Sequence, residues 1–384
     1  MASIAAVFAW VAATLLAYVY VGYPIALWIV AKIRGRTVSQ NEIRPGVTLA
    51  ISAFNEEAVI RQKLENSLAL DYPKDRFEVI VVSDGSTDRT EEIVESFVSQ
   101  GVRLVRLAKR QGKTPGLNAA VAQASGEIVI FSDANIFYQR DAIKSLIRNF
   151  ADPEVGCVVG DSRYVDFGKT AAHTQESGYW NYERFVRTME SRIGSTVGGD
   201  GAIFAIRRNL YKPLPADAVH DLVVPLQIVE QGRRSVFDLG AVGLEPSTGN
   251  FRGEFRRKRR IVNQSWHGVM SMPQILDPRR VGIFAWQVWS HKVLRWLVLP
   301  ILLLAAVSCI VASPLGWHYR LGAWGFFASL AIASFGILVP DRFRRSGWLF
   351  HAMMYFYLVN LAAVLGIAKA VAGQVEVFWS PERK

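Results

Sequence analysis

Asp133 and Asn135 stand two residues apart at the end of an apolar run, in the stretch GEIVIFSDANIFY over 126–138. Two short oxygen-bearing side chains at that spacing form a small hard-ligand set. Such a set suits a divalent cation that also holds a diphosphate. Residues 132–135 also read as an Asx turn opening a helix. Three more polar loops carry comparable chemistry: AFNEE (53–57), SDGSTD (83–88) and KRQGKTPGLNAA (109–120). Each has an ordinary reading as a turn, a cap or an acidic first helical turn. What joins the four is that each follows an apolar run of strand type.

The elements that position these loops alternate. Residues 47–52, 77–83, 102–107 and 127–131 are short, apolar runs typical of buried strands. Between them, 55–70, 87–100 and 116–124 read as helices, the second with an acidic first turn. This alternation over about 45–245 predicts an α/β domain with a mostly parallel sheet covered on both faces. Ligands of such sheets bind beyond the carboxyl ends of the strands. All four polar loops fall at that edge.

Composition bounds the rest. The chain has 384 residues, is 51% hydrophobic, and carries 11 Trp and 21 Phe, rich for a soluble enzyme. Its net charge is +11, but the basic residues flank apolar spans and no recognition motif is present, which speaks against a nucleic-acid partner. Residues 3–31 are almost wholly apolar, too long for a signal-peptide core, and precede Lys32, Arg34 and Arg36. The positive-inside rule puts the N-terminus outside and the following domain in the cytoplasm. Residues 296–312 and 321–339 read as further spans, the second followed by Arg342, Arg344 and Arg345. A fourth apolar segment, 348–368, contains Asn360 and is followed by Lys369, so it reads as a span or as an interfacial helix. The side occupied by the tail VFWSPERK depends on that choice. Residues 281–295 mix Phe284, Trp286 and Trp289 with His291, Lys292 and Arg295, the pattern of an amphipathic interfacial helix. Cys157 and Cys309 are expected as buried free thiols.

Taken together, AFNEE, SDGSTD, GKTPGLNAA and SDAN resemble family 2 glycosyltransferases of the GT-A fold. More narrowly, the chain is similar to the membrane-embedded group that includes cellulose, chitin and hyaluronan synthases. The resemblance covers roughly 45–295. It implies a GT-A (Rossmann-like, mostly parallel sheet) cytoplasmic domain at 45–245 behind an N-terminal transmembrane helix at 1–31. A basic and amphipathic interfacial segment at 246–295, a C-terminal transmembrane region of two to three helices at 296–372 and a tail at 373–384 complete the layout. It implies an inverting transferase moving a sugar from a nucleotide-diphosphate donor, a UDP-sugar, to a polysaccharide or lipid-linked acceptor. The setting is a bacterial-type inner membrane, with membrane lipids as neighbours and Mg²⁺ or Mn²⁺ as cofactor.

Residue by residue, the resemblance places Phe54 and Glu56 in the base pocket, Asp84 on the base or ribose, and Lys113 beside the phosphates. Asp133 and Asn135 occupy the family's DxD position. There Asn replaces an acid, which weakens metal binding without abolishing it. Gly199, within Gly198-Gly199-Asp200-Gly201, lies in the family's small-residue loop beside the donor sugar. Asp221 aligns with the catalytic base, preceded by His220 where the family has an acid; His220 reads first as a core or surface histidine with a neutral role, and otherwise as a group that approaches the metal or tunes Asp221. Residues 257–261, Arg-Lys-Arg-Arg-Ile, stand where relatives carry QxxRW, so Arg257 and Arg260 are candidates to clamp the diphosphate. Ile261 replaces the family's tryptophan, which argues against a polymer gripped at that point. About four spans would not enclose a polymer channel alone; that would take more helices or a homo-oligomer, so transfer of a single sugar to a lipid acceptor is the alternative. The other class of function is a catalytically degenerate membrane scaffold. It is favoured by Asn135, His220 and Ile261 and opposed by Asp84, Asp133 and Asp221 together. Most aromatic residues of 178–191 read as packing rather than as platforms for sugar rings.

Overall fold

A strand with no polar face must be covered on both sides, and residues 47–53 are buried without exception. The computed structural model describes residues 1–165, 171–246, 251–338 and 348–376. Among them, eight strands form one sheet: β1 Val47–Ala53, β2 Phe77–Ser83, β3 Val102–Arg106, β4 Ile128–Asp133, β5 Phe137–Tyr138, β6 Val155–Val165, β7 Ile203–Arg207 and β8 Arg234–Pro246. Their order is β3-β2-β1-β4-β7-β6-β8-β5. β3, β2, β1 and β4 are mutually parallel, so their carboxyl ends share one edge. β7 runs antiparallel to both β4 and β6, while β6 and β8 are parallel and β5 is antiparallel to β8.

Successive strand residues point to opposite faces, and this splits the core in two. Leu49, Ile51, Val79, Val81 and Ile130 face one layer with Ile60, Leu64 and Leu146. Ala50, Ile80, Val82, Val129 and Phe131 face the other, with Leu117, Leu226 and Ile228.

Helix starts differ from expectation for local reasons. The helix expected from 55 spans Ile60–Leu68, because Asn55 adopts a left-handed φ of 53° and the chain loops first. The one expected over 87–100 is Thr90–Glu95 followed by a 3₁₀ turn at Val98–Gln100. The one expected from 116 begins earlier, as Lys113–Gln123, since Pro115 is tolerated in a first turn.

Among the described residues, three helices are long and apolar enough to cross a membrane: Ala2–Arg34, Val298–Leu315 and Leu349–Val371. The helix Trp317–Leu338 covers 321–338 of the expected span at 321–339. Arg342, Arg344, Arg345 and the tail 377–384 lie outside the described residues. At one end of the bundle Ala9 packs on Ala312 and Tyr319. At the other, Tyr23 and Leu27 pack on Val186, Met189 and Ile193 of the helix Ala171–Ile193. Tyr182 joins that cluster, so it serves as packing. Residues 283–296 are helical, with a π-turn at Trp289–Val293. There His291 bridges the buried Glu183 and Glu190 at 2.9 and 2.8 Å, and Tyr23 donates to Glu190 at 2.6 Å. The N-terminal apolar helix, the helical run 283–296 and the sheet domain thus meet at one buried polar node. Both cysteines are free.

Candidate active site

The loops after β1 and β2 are stitched together. Asn55 accepts from the Thr87 backbone N–H at 2.8 Å, and the Glu57 N–H donates to Asp88 at 3.1 Å. The Glu56 N–H donates to Thr90 at 2.8 Å. Phe54 lies under the guanidinium of Arg110, 3.8 Å from the ring centre. Asp84 is buried and accepts from the backbone N–H groups of Gln111 and Gly112 at 2.7 and 2.9 Å. Both its oxygens therefore hold the loop that leads into the Lys113 helix. The turn requires Gly85, whose φ is 70° and whose Cβ would sit 2.9 Å from the Arg110 nitrogen.

Lys113 occupies the centre. Its ammonium pairs with Asp133 and donates to the Gly201 carbonyl at 3.3 Å. Burial works against its charge, but Asp133 and then Asp221 outweigh that and raise its pKa. Asp221 opens the helix His220–Glu230. Burial pushes its carboxyl above the ordinary carboxylate range; Lys113 pulls it back, and Asp200 and Asp133 push it further up. The Gly loop is tied to that helix, since the Gly199 N–H donates to the Asp221 carbonyl at 2.5 Å. A Cβ on Gly199 would lie 2.6 Å from the same oxygen, and one on Gly201 would lie 3.0 Å from the Asp221 carboxylate. Only glycine allows this approach.

Asn135 donates its amide to Glu245 of β8 at 3.0 Å. Burial holds the Glu245 carboxyl up to about 7, with Arg257 opposing and Asp133 and Asp200 adding to the effect. Beneath the same loop, Lys63 is fully buried and donates to Ser132 and to the Ile136 carbonyl, both at 2.8 Å. Burial lowers its pKa to about 7 against the pull of Asp133. Glu245, Lys63 and Asp200 were not singled out by sequence reasoning. The first two carry no local motif, whereas Asp200 lay in view within the Gly loop.

The arginines divide. Arg257 donates to Glu254 at 2.9 Å and Arg259 pairs with Glu376 at 3.0 Å. Arg260 has no hydrogen bond or ion pair among the described residues and lies in the field of Asp221 and Asp133. His220 is buried against Phe131, Phe204 and Tyr211, with ring centres 4.4, 5.5 and 5.9 Å away. Burial and then Lys113 hold it well below its ordinary pKa, so it is a neutral packed histidine.

Among the described residues, no three His, Cys, Asp or Glu side chains converge to hold a metal unaided. The Asp133 carboxylate and the Asn135 carbonyl fit a Mg²⁺ or Mn²⁺ that takes the rest of its shell from diphosphate and water.

A family model described as glycosyl transferase family 2 matches residues 48–214, from β1 to just beyond β7 and short of Asp221. The probable glycosyltransferase YdaM of Bacillus subtilis is 37% identical over 184 residues, covering 44% of this chain and 42% of that protein. Poly-beta-1,6-N-acetyl-D-glucosamine synthase of Staphylococcus aureus is 36% identical over 163 residues, covering 41% and 39%. The match thus spans about two fifths of these curated relatives. The mannosyltransferase PcManGT of Pyrobaculum calidifontis, solved with GDP-Man and Mn²⁺, superimposes with a TM-score of 0.66 at 24% identity. That superposition covers 92% of this chain and 99% of that one, so the fold is shared beyond the matched domain. With the sheet order, the edge loops and the family match in agreement, residues 48–214 form a domain similar to the glycosyl transferase family 2 domains, on a GT-A fold.

Proposed function

We propose that this chain is a membrane-embedded inverting glycosyltransferase. It moves a sugar from a nucleotide-diphosphate donor, a UDP-sugar, to a glycan or lipid-linked acceptor in cell-surface polysaccharide synthesis. The observation that carries this reading is the convergence of Lys113, Asp133 and Asp221 at the carboxyl edge of the sheet, beside a loop where only glycine fits. Phe54, Glu56 and Asp84 form the rim that receives the nucleoside, Asp84 by holding residues 111–112 in place. Asp221 takes the acceptor hydroxyl proton as the acceptor oxygen bonds to the anomeric carbon. The carbon–diphosphate bond breaks on the opposite side, which inverts the centre. Its raised pKa suits a base that must accept a proton near neutrality. Lys113 and Arg260 neutralise the departing diphosphate, and Arg257 reaches it after release from Glu254. A bound Mg²⁺ or Mn²⁺ at Asp133 and Asn135 would add Lewis-acid neutralisation of the same group.

The setting is the inner membrane, with the catalytic domain on the cytoplasmic side, a reading supported by the charge bias of Lys32, Arg34 and Arg36. The last apolar helix is shared between two neighbours: it packs on Trp317–Leu338, where Ser329 and Tyr357 hydrogen-bond at 2.6 Å, and on the basic helix that follows the sheet. Tyr355 donates to Glu254 at 3.3 Å, and Asn263 donates to the carbonyls of Gly366 and Gln374 at 3.1 and 2.8 Å. Leu349–Val371 therefore runs along the helix Phe251–Met270, which carries Arg256, Arg257, Lys258, Arg259 and Arg260. Such a helix is not at home in hydrocarbon. Residues 372–376 then lie on the catalytic side.

The test is nucleotide release by the purified protein across UDP-, GDP- and dTDP-sugars with Mg²⁺ or Mn²⁺. Release from one donor is expected. No release and no nucleotide binding with any donor would move the chain to the scaffold class.

A further inference from the structure

We propose that Glu245 supplies the carboxylate that Asn135 lacks, completing the cation–diphosphate site from the far strand of the sheet. This rests on the transferase reading above and adds a ligand to it. One carboxylate and one amide carbonyl are a weak pair for a hard divalent cation, which prefers several charged oxygens. The sheet brings a second carboxylate to the same place. β5 pairs with β8 so that Phe137 faces Leu244 and Tyr138 faces Gly243. Continued by one residue, that register sets Glu245 beside Ile136, next to Asn135. The approach is close because residue 243 is glycine: a Cβ there would stand 2.5 Å from the Ile136 side chain.

The contact itself is oriented. Asn135 donates Nδ2 to Glu245 Oε1 at 3.0 Å, which leaves the Asn135 carbonyl oxygen for a cation. The other Glu245 oxygen accepts no hydrogen bond among the described residues. Asp133, Asn135 and Glu245 thus offer two carboxylates and a carbonyl. One comes from the last residue of β4, one from the loop after it and one from the end of β8. Lys113 pairs with one member of the set, Asp133.

A staple role is the competing account, in which Glu245 only ties β8 to the loop through the Asn135 amide. Glu245→Gln separates the two, since glutamine still accepts that hydrogen bond but carries no charge. Mn²⁺ affinity is measured by titration calorimetry and electron paramagnetic resonance on the full-length protein in detergent, with UDP or GDP present. Glu245→Gln should weaken Mn²⁺ binding by about tenfold or more, in the range typical of altered metal shells. Melting temperature and metal-free nucleotide affinity should hold. The exchange variant Asn135→Asp with Glu245→Gln moves the acid back onto the loop and should restore binding to within about threefold of wild type. Unchanged Mn²⁺ binding in Glu245→Gln overturns this inference alone, as does an exchange variant no tighter than the single one. Wild-type protein that binds Mn²⁺ with neither nucleotide overturns the transferase reading and this inference with it.

Discussion

The two halves of the sheet solve different problems. In β3-β2-β1-β4, every polar group at the edge comes from the few residues after its own strand, and neighbouring loops are joined by short hydrogen bonds. In β7-β6-β8-β5, the working groups come from a helix start (Asp221), a strand end (Glu245) and a membrane-proximal helix (Arg260). The antiparallel β7 is the seam, and the Gly loop just before it touches both sides through Lys113 and Asp221. A parallel sheet delivers its loops to one edge by topology alone. The other half needs packing between distant segments to place each group. Nucleoside binding should therefore belong to the first half, proton abstraction to the second, and the cation–diphosphate site to both.

The largest expected effect comes from the second half. Asp221→Asn should lower the transfer rate by about 10²- to 10⁴-fold while donor affinity, read by calorimetry, stays within error. A matching loss of donor affinity would break the division of labour. Lys113→Ala should damage both halves, weakening donor binding and moving the pH–rate profile. Activity falls as pH drops through the Asp221 pKa, because the base must be ionised. Lys113 is the main group pulling that pKa down, so its loss should shift the acidic limb to higher pH.

Gly199→Ala tests the seam. Its Cβ has no room against the Asp221 carbonyl, and overpacking of this kind costs about 1–3 kcal/mol. A lowered melting temperature together with reduced transfer is expected.

A pH dependence of stability comes from the first half. Lys63 has a folded pKa of about 7, below its unfolded value of about 10.4. The unfolded chain therefore binds more protons between those values, and stability rises with pH across that window. The melting temperature of wild type should gain on Lys63→Met from pH 7 to 10, and parallel curves would remove Lys63 as a titrating support of the Asp133 loop.

The same contrast explains what could be read from sequence. The first four strands were legible because buried parallel strands are short apolar runs closed by turn residues, and 77–83 matches β2 to the residue. The motif residues of that half lie where their loops put them. Asp84 was assigned to the base or ribose, yet its oxygens hold backbone N–H groups nearly thirty residues on, a pairing no local pattern reveals. Glu245 meets Asn135 across 110 residues through an antiparallel β5–β8 pair. Lys63 looks like the polar position of an amphipathic helix and is instead buried under β4. For His220 the sequence left core and surface open, and its aromatic surroundings from β4, β7 and Tyr211 decide for the core. The 348–368 segment left two readings open, since hydropathy does not register the charged helix alongside it.

The central claim is transfer by in-line displacement with Asp221 as base. It is tested most directly by supplying ¹³C-labelled donor, the one named by the release panel, to the protein in membranes and reading the anomeric configuration of the product by NMR. The account predicts an inverted centre with wild type and no product with Asp221→Asn; a retained centre, or equal transfer by the variant, would contradict it.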